Sequence, residues 1–190
     1  MKFMIIALLT LTRPVIAEES DALKKYYYVF FMLSRSAISP GWGPYYGSAL
    51  RIGGNLLETQ SGIFSLGLYT GGFPDQQATS TGFRLSLTGP ELLYRRIAHT
   101  GFYVSGRVGF ANVSSTRTLP PPHTAIGDSF GFSPAAGYEL NFPDSGWVMV
   151  AEGSWTHMGP ATLTDHDGGP FLFSPAYDIF SCYAGFGYTW

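Results

Sequence analysis

Charge is scarce in this sequence. Asp, Glu, Lys and Arg together make up 13% of its 190 residues, less than the 16% contributed by Phe, Trp and Tyr. Soluble domains carry roughly 25% charged residues, so a chain this poor in charge has little with which to cover a water-facing surface. Cysteine is nearly absent as well. The single Cys182 excludes an intramolecular disulfide framework and a thiolate metal cluster, and it reads as a small apolar residue. With 11 basic against 13 acidic side chains there is no positive excess, which argues against a nucleic-acid partner. Beyond the amino terminus no apolar run approaches the ~20 residues of a membrane-spanning helix. The 24 glycines and 13 prolines discourage helices further. What these shortages leave is a sheet whose outer face does not meet water.

The amino terminus has the parts of a secretory signal. Lys2 is followed by an apolar run from Phe3 to Leu11, then by small Val15 and Ala17 ahead of an acidic "EESD". Cleavage is expected after Ala17, making residues 1–17 a signal peptide and 18–190 one domain with no linker. No cysteine directly follows the signal, so a lipoprotein anchor is not expected.

Eight segments of about ten residues with period-2 hydrophobicity follow, the repeated signature of a transmembrane β-barrel. The first, Lys25 to Arg35, is apolar on both faces and leaves its facing open. The second opposes Tyr46, Leu50 and Ile52 to Arg51, and the third aligns Phe64, Leu66 and Leu68. In the fourth, Phe83, Leu85 and Leu87 are expected outward with Arg84 and Ser86 inward. A β-bulge at Gly89 and Pro90 would then switch parity, sending Glu91 inward rather than into lipid. The fifth places Tyr103, Ser105 and Arg107 inward, the sixth Ser133 and Glu139, the seventh Glu152 and Ser154. The eighth, "FSCYAGFGYTW", alternates outward Phe180, Cys182, Ala184, Phe186, Tyr188 and Trp190 with smaller or polar residues, up to the final residue. Connections after strands two, four and six are short; those after one, three, five and seven are longer. The expected fold is therefore all-β, an eight-stranded antiparallel transmembrane β-barrel of up-and-down meander order.

"GPELLYRR", "FYVSGRVGFANV", "AAGYELNFPDSGWVMVAEGSW" and the terminal "YAGFGYTW" together resemble the small eight-stranded outer-membrane proteins of Gram-negative bacteria, the OmpA-type membrane domain and its OmpX/Ail-like relatives. The resemblance spans nearly all of residues 18–190. It is specific for fold and says little about activity. It implies residence in a Gram-negative outer membrane, with lipopolysaccharide and other outer-membrane lipids as neighbours. It also implies that Phe186, Tyr188 and Trp190 are read by the outer-membrane assembly machinery.

The expected inward charges are Arg51, Arg84, Glu91, Arg107, Glu139 and Glu152. Equal numbers of each sign in so narrow a barrel favour a mutually neutralising plug over an ion pathway. Asp165, His166 and Asp167 are adjacent in a loop and point in different directions, so they read as a solvated turn, not a metal site. No cofactor is expected. A lipid A-modifying enzyme, of deacylase or acyltransferase type, is the main alternative. A serine hydrolase site needs Ser and His to meet, but Ser154 and His157 are three apart on a strand, and the His-x-Ser arrangement of barrel deacylases does not occur. The favoured reading is a non-enzymatic surface protein, structural or adhesive, that meets an extracellular ligand through loops bearing Trp42, Tyr45 and Phe73.

Overall fold

A computed structural model describes residues 27–39, 42–74, 81–96, 101–117, 123–142, 144–165 and 172–190. The signal segment, His166, Asp167 and most of the Leu119 to His123 tract lie outside these residues. Among the described residues ten strands occur in chain order: β1 (Tyr27–Ser39), β2 (Trp42–Glu58), β3 (Gly62–Pro74), β4 (Thr81–Arg96), β5 (Phe102–Arg117), β6 (His123–Asn141), β7 (Trp147–Met158), β8 (Ala161–Asp165), β9 (Leu172–Ser174) and β10 (Tyr177–Thr189). β1 to β7 and β10 each pair antiparallel with their neighbours, and β10 pairs with β1 to close the ring. The molecule is thus a closed eight-stranded barrel in meander order, and closure leaves none of its strands as a free edge.

Closure explains the greasy carboxyl terminus. The β1–β10 register runs without a break from Tyr28 opposite Thr189 to Ser39 opposite Asp178. Below it, Tyr27 and Trp190 exchange backbone hydrogen bonds of 3.1 and 3.2 Å. The Trp190 ring stacks on Tyr188 at 6.1 Å, and Trp147 meets Tyr188 edge-on at 5.5 Å. The last residue is therefore part of the wall, in an aromatic cluster at the end where both termini emerge.

Period-2 alternation holds along the walls. Tyr27, Phe31 and Leu33 face out while Tyr28, Phe30, Met32, Ser34 and Ser36 face in, which settles the first strand. Leu50, Ile52, Leu66, Leu68, Leu92, Val104, Val108, Phe110, Leu140 and Phe186 also lie exposed on the outer face. The turns at the terminal end are tight. In the β6–β7 turn Asp144 and Gly146 take positive φ values of 60° and 76°, and Ser145 Oγ donates to the Phe142 carbonyl at 3.1 Å.

Two expectations are corrected. In β4, Leu85 and Leu87 are buried inward and Arg84 is exposed, the reverse of the predicted facing. There is also no bulge at Gly89 and Pro90. The β3–β4 register passes straight through them, and β4 stays in step with β5 from Thr88 opposite Phe110 to Glu91 opposite Arg107. The physical reason is that the lumen near the long-loop end is dry and apolar, so leucines belong inside it. Arg84, close to the start of β4, sits exposed on the outer face. Register shifts occur instead between Ser36 and Ile38 of β1 and between Asn55 and Leu57 of β2.

The connections expected to be long are largely strand. Only residues 40 and 41 separate β1 from β2, and the stretch from Gly159 to Ala176 contains the β8–β9 hairpin, whose Ala125 to Asp165 pairing docks it on β6. Tyr45, read as a loop aromatic, is a buried inward residue of β2; Trp42 and Phe73 also belong to strands.

Candidate functional site

The inward residues of the strands meet in a layered lumen. At its middle lies a four-membered charge cluster. Arg51 of β2 contacts Glu152 of β7, and its Nε stands 2.8 Å from Glu91 Oε2 of β4 without aiming its N–H at that oxygen. Arg107 of β5 donates from Nε to Glu91 Oε1 at 2.8 Å and from Nη2 to both Glu152 oxygens at 2.6 Å. All four side chains are at most 1% exposed. Each cation touches both anions, so the cluster is electrically closed.

Aromatic residues complete it. Tyr103 donates its hydroxyl to Glu152 at 2.8 Å, and Arg51 lies 5.3 Å from the Tyr103 ring centre. Arg107 stacks over Tyr69 at 4.2 Å, and the Tyr69 and Tyr183 hydroxyls hydrogen-bond at 3.0 Å. Rings face guanidinium groups because their negative π-faces attract cations strongly where water is excluded. Inward glycines make the room: a Cβ at Gly137 would overlap the Tyr103 ring, and one at Gly53 would overlap Tyr28.

Nearer the terminal end is a second pair. Arg95 donates from Nε to Glu139 at 2.9 Å and from Nη1 to Ser65 Oγ at 2.7 Å, and it covers the Tyr28 ring at 4.7 Å. Glu139 is thus inward but outside the four-membered cluster. Arg95 is not among the expected lumen charges, although unbroken alternation from Glu91 through "ELLYRR" would place it there. Arg84 joins neither group.

Toward the long-loop end the lumen changes character. Serines form a belt, in which Ser36 and Ser181 hydrogen-bond at 2.8 Å and Ser133 bonds Thr156 at 2.8 Å. Above them Leu85, Leu87, Ala111, Val113, Met158, Leu163 and Ile179 form an apolar plug. Among the described residues, no group of three or more His, Cys, Asp or Glu side chains is placed to hold a metal ion.

On the outer face, His157 Nδ1 lies 2.9 Å from Asp178 Oδ1, which also accepts from Trp155 Nε1 at 3.1 Å. Ser154 faces the lumen, so it and His157 stand on opposite sides of the wall.

No family model matches the chain, and no curated protein sequence does. Solved structures do. Neisserial surface protein A (NspA) is 13% identical, with a TM-score of 0.55 over 86% of this chain and 97% of its own. Ail, the attachment invasion locus protein of Yersinia pestis, is 11% identical with a TM-score of 0.54, covering 87% of this chain and 97% of Ail. A major outer membrane protein from Thermus thermophilus is 11% identical with a TM-score of 0.55, covering 86% of this chain and 99% of its own. The chain has the fold of the small eight-stranded outer-membrane β-barrels.

Proposed function

We propose that this protein is an outer-membrane barrel of a Gram-negative bacterium that works from its surface, as a structural or ligand-binding protein, and not by passing solutes through its lumen. The observation that carries this reading is the double obstruction of the lumen, by the Arg51, Glu91, Arg107 and Glu152 cluster and by the Leu85 and Leu87 plug, inside a wall whose outer face is apolar. An eight-stranded barrel has room for side chains and little else. The similarity to Ail and to Neisserial surface protein A supports a surface role without naming a ligand. Phe186, Tyr188 and Trp190 serve as the assembly signal; Trp190→Asp should leave the chain in the periplasm, and wild-type membrane levels of that variant would refute the assignment.

The test of the function is a binding screen with the full refolded barrel, paired with mass analysis of lipid A from cells with and without it. Unchanged lipid A and a saturable ligand support the surface-binding reading. The His157–Asp178 pair favours the alternative, a lipid A-modifying enzyme, because a carboxylate orienting a histidine at the membrane surface is half of a hydrolase site. A changed lipid A mass would establish that reading instead.

A further inference from the structure

We propose that the outer wall across β1, β10, β7 and β6 carries a binding groove for an acyl lipid whose phosphate headgroup has a net negative charge, with Arg35 contacting the headgroup and Gly153 forming part of the floor. The inference rests on the reading that the outer face meets a bilayer. The register aligns Arg35 with Cys182, Cys182 with Gly153, and Gly153 with Ala136, four outward positions in one row across four strands. Three of the four are small, and they floor a groove of about 1040 Å³, bounded by Trp155 and Phe180. A Cβ added at Gly153 would meet nothing within 4 Å, and the same is true of Gly106 on β5, the strand beyond β6. The wall here is a hollow in an otherwise bulky apolar belt. In a bilayer such a hollow is filled by hydrocarbon, since a void forfeits dispersion contacts on one side.

Arg35 makes the groove selective. It is exposed on the outward face and has no carboxylate at ion-pair distance among the described residues. Asp178, on the neighbouring strand, is already engaged by His157 and Trp155. From Tyr27, Arg35 lies roughly 20 Å up the tilted strand, near the far edge of the ~25 Å apolar band of such barrels. An arginine there is tolerated where its fork reaches phosphate oxygens. A second copy packed symmetrically over the groove would instead bring two unpaired Arg35 side chains together, which disfavours a dimer.

The test uses the full chain refolded in bilayer nanodiscs of phosphatidylcholine and phosphatidylglycerol, with lipids retained on the extracted barrel counted by native mass spectrometry. Wild type should retain phosphatidylglycerol preferentially. Arg35→Gln should lower that preference about fivefold, the ratio equivalent to the ~1 kcal/mol an arginine contributes beside an anionic lipid surface. Gly153→Leu, which fills the floor, should reduce retention of both lipids, and Arg84→Gln, an outward arginine that lines no part of the groove, should change neither. An unchanged preference in Arg35→Gln would overturn the proposal. So would displacement of the lipid by soluble glycerol phosphate, or efficient Cys182 to Cys182 cross-linking into a dimer. Each sample is also run on a gel unheated and boiled, because a closed sheet with no free edge resists detergent until boiled and so shifts in migration, and this separates the two levels of failure. Loss of the shift in wild type defeats the barrel-in-membrane reading, whereas a normal shift with no lipid preference defeats the groove alone.

Discussion

The two halves of the lumen exclude water by opposite means. Toward the terminal end the filling is charged: Arg51, Glu91, Arg107 and Glu152 neutralise one another, with the Arg95 and Glu139 pair below them. Toward the long-loop end Leu85, Leu87, Val113, Met158 and Leu163 do the same work with no charge at all. The charged half depends on every partner being present, because one missing carboxylate leaves cations stranded in a place water does not reach. The apolar half depends on volume, and tolerates change in proportion to the cavity it leaves. The difference teaches that "polar inside, apolar outside" describes only part of a narrow membrane barrel. Where the interior is dry, leucine belongs there.

The largest effect should come from the charged half. Glu152→Ala removes an anion that serves Arg51, Arg107 and the Tyr103 hydroxyl, and should cost about 3 to 5 kcal/mol in reversible urea unfolding from lipid vesicles. Glu152→Gln, which still accepts hydrogen bonds, should cost less. Next comes the apolar half: Leu85→Ala, at 0% exposure, should cost about 3 kcal/mol, and Leu85→Met under ~1.5 kcal/mol because it keeps the volume. If Leu85→Ala were neutral, Leu85 would face lipid and the corrected β4 facing would fail. Glu139→Gln should cost on the order of 1 kcal/mol, since Arg95 is 18% exposed and retains Ser65 as a partner. Smallest of all, Arg84→Ala should shift stability by roughly 0 to 1 kcal/mol, as expected of an exposed side chain. A loss matching that of Glu152→Ala would return Arg84 to the lumen.

The same contrast explains what can be read from the sequence. Strands five to eight are legible residue by residue, because Arg107, Glu139, Glu152 and Tyr183 mark the inner parity and Val104, Leu140, Trp147 and Phe186 the outer. The strand reaching the final tryptophan also makes closure legible. β4 misleads because its first half puts leucine inside and arginine outside, so hydrophobicity alone inverts the assignment, and only a bulge can then restore Glu91 to the lumen. Arg95 shares the parity of Glu91 with or without a bulge, and alternation carried to the end of "ELLYRR" is the signal that places it inward. β1, apolar on both faces, carries no parity signal, and only its pairing with β2 and β10 decides that Phe30 and Met32 turn inward. Loop lengths are overestimated because serine, glycine and proline near Ser39 and Trp42 read as turn, yet strand pairing with neighbours extends past the apolar band.

The central claim, that charge and leucine together seal the lumen, is tested most directly by electrical recording of the refolded barrel in a planar bilayer. The account predicts no steady channel of porin size for wild type, and the same silence for Leu85→Ala, because the charged half still closes the barrel when the apolar half is thinned. Large, stable openings in wild type would contradict it.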